Sequence, residues 1–250
     1  MKSQLAVVGS GFSAVVITQT LLSYFEEIHV IDTRPELGLP TQIPGMSSCE
    51  LFTELVETLD DSAKQLMRAK HDEKSWFRSE WLVKAMWQKT ATGKVITHTR
   101  QRIVKTNENE GQINLHLQGL DGDSELQVSY VIDARLDSAK PVNGMDHVLN
   151  ECSKLVSFDF GEQQKWFGGL CVLSEQQFLD WLNNESLIIG EHSDGVSEVW
   201  MRQADEVYPQ NGWIQKMEIS LPKSWNHPSI DEVFQASKQI CAEIINELEG

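Results

Sequence analysis

Apolar positions follow three rhythms along this chain. Leu5-Ala6-Val7-Val8, Ile28-His29-Val30-Ile31 and Tyr130-Val131-Ile132-Asp133-Ala134 are short, nearly continuous apolar runs. That is the pattern of strands covered on both faces of a parallel sheet. Helical spacing takes over elsewhere. Val15-Val16-Ile17 to Leu21-Leu22 forms one apolar helix, and Leu51, Phe52, Leu55, Val56, Leu59, Leu66 and Met67 predict another over Cys49 to Arg68. Trp76-Phe77-Arg78 leads into a helix with Trp81, Leu82, Ala85 and Met86 on its core face, stopped by Gly93. Strict alternation marks 101–106, 112–117 and 125–128, joined by polar turns and preceded by a strand at 94–97, which reads as a β-meander.

Farther on, strands are predicted at 168–173, 186–189, 198–201 and 217–221, with a short helix at 176–182. The chain closes on a helix over 229–248, signalled by His227-Pro228-Ser229 and an apolar face of Ile230, Val233, Phe234, Ile240, Ile244 and Leu248. The fold class expected is α/β: a Rossmann-like three-layer fold with an inserted β-meander and a small α+β cap. The expected organisation is a Rossmann-like domain over 1–140, a small cap region over 141–225, and a C-terminal helix over 226–250 that packs on the core.

The first strand runs directly into Gly9-Ser10-Gly11-Phe12-Ser13-Ala14, and the second ends on Asp32-Thr33-Arg34. Gly9 permits the tight turn, Gly11 lets the backbone approach a pyrophosphate, and Ala14 lets the helix pack closely on the first strand. The N–H groups of Phe12 and Ser13 lie where a helix N-terminus receives phosphate. Asp32 follows Gly9 by 23 positions, close to the roughly 20-residue offset of a carboxylate that bonds a ribose hydroxyl. An acid there favours FAD or NAD over NADP, although Arg34 keeps the phosphorylated nucleotide open. The candidate cofactor residues here are Gly9, Gly11, Phe12, Ser13, Ala14, Asp32, Thr33 and Arg34. The next twelve residues, Arg34 to Gly45, hold three prolines and two glycines and predict a loop across the crevice.

Charge narrows the partners. A formal net charge of −16 with no basic run excludes a nucleic-acid binder. Four widely spaced cysteines without a C-x-x-C pair suit reduced thiols, and seven scattered histidines make a metal site unexpected. No leader-like or membrane-length apolar stretch occurs, so a cytoplasmic protein is expected. There is no P-loop, the glycine turn lacks the closing glycine of a nucleophile elbow, and no tyrosine has a lysine four residues later. A small-molecule substrate is the expected partner, with a protein partner or self-association left open.

The fingerprint, the Arg34–Gly45 loop, Arg78 opening a helix, the meander and Val131-Ile132-Asp133-Ala134-Arg135 occur in one order. Together they resemble the FAD-dependent oxidoreductases of the geranylgeranyl reductase, aromatic hydroxylase and flavin halogenase superfamily, over about residues 4–140. The resemblance implies FAD as cofactor, with NAD as the alternative, and places Arg78 on the pyrophosphate. The family's Asp-Ala-Asp-Gly is matched only in part by Asp133-Ala134-Arg135-Leu136, followed by Asp137-Ser138. Its second fingerprint, a strand into Gly-Asp and a helix, has its nearest match at Leu187-Ile188-Ile189-Gly190-Glu191-His192, which makes Gly190 a candidate. Only 57 positions separate Asp133 from Gly190, so the protein would be a shortened relative.

In a flavoprotein the cofactor carries the redox chemistry, and sparse catalytic motifs are in keeping with that. The function expected is an FAD-dependent monooxygenase or reductase acting on a small apolar or aromatic molecule, with His192, Glu191, Tyr208 and Trp213 as pocket candidates and no assigned catalytic residue. Two other functions stay open: a non-catalytic binding or partner subunit on the same fold, and an NAD-binding protein without flavin.

Overall fold

A computed structural model describes residues 4–71, 73–91, 93–120, 122–137, 146–159, 161–202 and 207–250. In chain order the elements are β1 (Gln4–Val8), α1 (Phe12–Leu21), β2 (Glu27–Asp32), β3 (Met46–Ser47), α2 (Cys49–Glu57), α3 (Asp61–Leu66), β4 (Lys70–His71) and β5 (Ser75–Trp76). Then come α4 (Ser79–Thr90), β6 (Val95–Thr99), β7 (Gln101–Asn109), β8 (Gln112–Gly119), β9 (Gly122–Val128), β10 (Tyr130–Asp133) and a 3-10 turn at Arg135–Asp137. The remainder is β11 (Leu155–Ser157), β12 (Gln163–Cys171), α5 (Glu175–Leu182), β13 (Leu187–Glu191), β14 (Ser197–Met201), β15 (Trp213–Pro222) and α6 (Ile230–Glu249). Among the described residues no helix is long and apolar enough to cross a membrane.

The chain divides into two units, the first comprising Met1–Thr41, Met86–Asp159 and Val233–Gly250. Its five-stranded sheet has the order β11-β10-β1-β2-β6, and every neighbouring pair is parallel. The apolar runs explain this, because Leu5, Val7, Ala6 and Val8 are all fully buried and neither face of β1 meets water. One face carries the antiparallel meander β7-β8-β9, whose Ile103, Ile113, Leu115, Leu117 and Val128 form a core with Ala6, Val8, Ile31 and Val131. Helix α1 packs against β1. Helix α6 docks nearby, with the Cys241 thiol on the Ile17 carbonyl and Glu247 accepting from the Tyr130 hydroxyl at 3.0 Å. This is an α/β Rossmann-like arrangement with an inserted meander.

The second unit comprises Gln42–Ala85 and Phe160–Glu232. It contains an antiparallel sheet of order β13-β14-β12-β15 and a small sheet of order β3-β5-β4. Residues 42–85, which the sequence reading assigned to the N-terminal domain, pack here. Glu198 on β14 accepts from the Gly45 amide at 2.9 and 3.1 Å, and the Trp76 ring covers Gly190 on β13. The expected boundary at 140/141 lies outside the described residues.

Local expectations needed three adjustments. The single helix over 49–68 is two, α2 and α3, because Asp60 is extended (ψ 152°) and starts a new helix. On α4 the buried face is Leu82, Val83, Met86 and Trp87; Trp81 is 49% exposed, with the Arg78 guanidinium 5.4 Å above its ring. Trp81 therefore uses its ring as a platform for a charge at the surface, and the core helix face is rotated toward Trp87. The strand expected at 168–173 begins five residues earlier, since Gln163 to Trp166 already pair with β15.

Candidate functional site

The turn between β1 and α1 has the backbone that the glycines predict. Gly9 sits at φ 104°, a conformation open to glycine, and its amide donates to the Ile31 carbonyl at 2.9 Å. Gly11 is the N-cap of α1, with φ −71° and ψ −166°. The first amides of a helix have no partner within it and must find one outside. Here Phe12 and Ser13 are fully buried, so water cannot serve.

That partner is Asp137, at the end of the 3-10 turn after β10. Its carboxylate accepts from the Phe12 amide at 2.5 Å and the Ser13 amide at 3.1 Å, and also from the Ser13 hydroxyl. The Ser13 hydroxyl contacts the Ala134 carbonyl as well, at 2.8 Å. Gly11 makes room for this: a Cβ there would lie 2.7 Å from the Asp137 Cγ and 2.8 Å from Oδ1. Asp137 is itself fully buried. Burial pushes its carboxyl above the usual range, opposed by the bonds from Ser13 and Phe12.

The ribose acid is closed in the same way. Asp32 is 2% exposed and accepts from the Ser10 hydroxyl at 2.5 Å, the Arg34 amide at 2.9 Å and the Arg34 Nε at 3.1 Å. Arg34 also donates to the Pro40 carbonyl at 2.7 Å, and the Gly38 amide donates to Ser10 at 3.2 Å. The Trp87 indole N–H caps the Ser10 carbonyl at 2.8 Å. Thr33 is half-buried at the end of β2, and Ala14 is fully buried under the turn.

Tested against a dinucleotide, these residues do not fit one. The diphosphate requires the amides at the start of α1, and the ribose requires the acid at the end of β2. Both are engaged by side chains of the same chain. Beside them, His147 is 8% exposed and accepts from the Ile103 amide at 3.1 Å. Burial, and next the Arg135 guanidinium, lower its pKa to about 4.

The other candidates lie in the second unit. Arg78 is held by Glu80 and by Asp194 at 3.4 Å. Gly190 is a correction: it lies within β13, which turns back into β14 as a hairpin, so the strand-Gly-helix of a second flavin fingerprint is not formed there. Its lack of a Cβ serves the Trp76 ring. His192 is buried and bonds Glu198 at 2.8 Å, while Glu191 pairs with Lys70. Trp213 packs on the Cys171, Leu187, Val199 and Met201 core, and Tyr208 is 65% exposed.

Sequence reasoning missed Asp137, Ser10, Trp87 and Glu198 as the side chains that complete these sites. For Asp137 the sequence does hold a signal. The Asp-Gly that the resembled family carries after Ala134 is replaced by Arg135-Leu136, with the acid Asp137 following.

No protein-family model matches the chain, and no curated protein matches it by sequence. Solved structures do match. p-Nitrophenol 4-monooxygenase PnpA from Pseudomonas putida DLL-E4 superposes with TM-score 0.59 at 8% identity, over 98% of this chain and 80% of that one. The Diels-Alderase PyrE3 of pyrroindomycin biosynthesis gives 0.54 at 10% identity, over 95% and 51%. CabE, an aromatic hydroxylase from angucycline biosynthesis, gives 0.51 at 13% identity, over 96% and 49%. The chain thus spans most of the first and about half the length of the other two. At these identities the likeness speaks for the backbone alone: the chain has the fold shared by this monooxygenase, this Diels-Alderase and this aromatic hydroxylase.

Proposed function

We propose that this chain is a cofactor-free protein on the flavoprotein hydroxylase fold, acting as a binding or partner subunit and not as an electron-transfer enzyme. One observation carries the reading: the Asp137 carboxylate holds the Phe12 and Ser13 amides that a diphosphate would need. The pairing of Asp32 with Arg34 and Ser10 supports it, as does the hairpin at Gly190. Fold does not fix chemistry. The structural neighbours themselves include a Diels-Alderase, a monooxygenase and a hydroxylase.

The test is the purified protein's absorption spectrum, mass analysis of any released nucleotide, and titration with FAD and NAD followed by flavin fluorescence and thermal shift. The expected result is a colourless protein whose unfolding temperature ignores both nucleotides. A yellow protein with stoichiometric FAD overturns this reading and favours the FAD-dependent oxidoreductase of small apolar or aromatic molecules. That rival keeps one argument, the intact Gly9 turn and Gly11 approach, and it requires Asp137 to leave its present partners. Stabilisation by NAD alone favours the flavin-free nucleotide binder.

A further inference from the structure

The closed nucleotide site raises the question of what holds α1 in place once no cofactor does. A helix N-terminus buried without an anion or an acceptor leaves its amides orphaned, at about 1–3 kcal/mol each. Helix α1 starts with fully buried Phe12 and Ser13, and its N-cap, Gly11, has no side chain to offer. Asp137 resolves this from 124 and 125 positions away. It lies just past β10, the strand that neighbours β1 in the sheet, so its carboxylate ties the end of one strand to the helix that follows the next. The fit is specific to an oxyanion. Two oxygens face two consecutive amides and a hydroxyl, in the volume that the missing Gly11 Cβ leaves free.

Resting on the functional reading above, we propose that Asp137 is a built-in replacement for a cofactor's diphosphate: a latch that completes the fold of the first unit without any ligand. A carboxylate serves because helix N-termini select for negative charge and for acceptors that can take several N–H bonds at once. Asp137 would then be a structural anion whose role an external oxyanion can take over when the side chain is removed.

The test is chemical rescue. Wild type, Asp137→Gly and Asp137→Asn are melted while inorganic phosphate is titrated against sodium chloride at equal ionic strength. Wild type is expected to show the same small response to both salts. Asp137→Gly is expected to melt lower and to recover in phosphate along a saturating curve, with several-fold more recovery than in chloride, as binding linkage requires. Asp137→Asn is expected to be destabilised without recovery, because the amide still fills the seat. A folded Asp137→Gly protein that responds to phosphate no more than wild type does overturns the proposal. Should Asp137→Gly not fold, Asp137→Ser is refolded with and without phosphate; failure of both variants to fold even in phosphate also overturns it. A colourless protein without rescue refutes the latch alone, whereas FAD bound to wild type refutes the functional reading.

Discussion

Gly11→Ala separates two explanations of the same glycine, and it does so without any ligand. At φ −71° and ψ −166° the backbone of Gly11 suits any residue. On conformational grounds alone alanine should therefore stabilise the protein by about 0.4–1 kcal/mol, through a less free unfolded chain. The added methyl would, however, occupy the Asp137 carboxylate's place, with Cγ at 2.7 Å and Oδ1 at 2.8 Å. The carboxylate must shift off the Phe12 and Ser13 amides. Each bond to a charged group is worth about 1.5–3 kcal/mol, so losing the two amide bonds costs about 3–6 kcal/mol. Net of the conformational gain, Gly11→Ala should cost about 2–5 kcal/mol in wild type. In an Asp137→Gly background the methyl no longer meets the carboxylate, and the same substitution should be neutral or mildly stabilising. Urea denaturation followed by tryptophan fluorescence, which sees Trp87 beside Ser10, gives all four corners of the cycle. Equal costs of Gly11→Ala in the two backgrounds would refute the account.

Further outcomes follow from the same geometry. His147 should make the protein acid-sensitive: its pKa falls from 6.5 to about 4 on folding, so the unfolded chain binds a proton that the folded one refuses. Stability present above pH 6.5 should then be lost as pH falls toward 4, by about 3 kcal/mol at about 1.4 kcal/mol per pKa unit. Urea titrations from pH 7 to 4 should show a shallower slope in His147→Gln than in wild type. Glu198→Ala should lower stability by about 3–5 kcal/mol, because it strands His192, the Trp200 indole N–H and the Gly45 amide in a buried site. Cys171 and Cys241, both pushed up to about 12, chiefly by burial, should resist an aromatic disulfide reagent in the native state and react once unfolded in urea.

The fold was legible where burial is uniform. A strand enclosed on both faces has no choice but an unbroken apolar run, so β1, β2 and β10 could be read directly, and the meander announced itself by alternation. Helix faces were less certain, because α4 carries apolar residues nearly all round. Nothing in the spacing says that Trp81 lies at the surface under Arg78 while Trp87 reaches Ser10. The second unit was the least legible. Its two pieces, 42–85 and 160–232, are joined by contacts between residues far apart in sequence, such as Gly45 with Glu198 and Trp76 with Gly190. A hydrophobic pattern records that a residue is buried, but not what buries it.

The candidate site shows the same limit in a sharper form. Gly9, Gly11, Ala14 and Asp32 describe a backbone, and that backbone formed as read. A glycine that allows close approach does not state what approaches. Cofactor phosphate and the carboxylate of Asp137 ask for the same turn, the same missing Cβ and the same free amides, so the fingerprint by itself carries no information about which anion arrives. The discriminating residue lies more than a hundred positions away, where the turn after β10 either leaves the helix N-terminus open or reaches into it. With Arg135 tied to Asp133 at 2.6 and 2.7 Å, the 3-10 turn is fixed so that Asp137 points at α1. In this chain the residues after β10 therefore supply the carboxylate that the glycine turn receives.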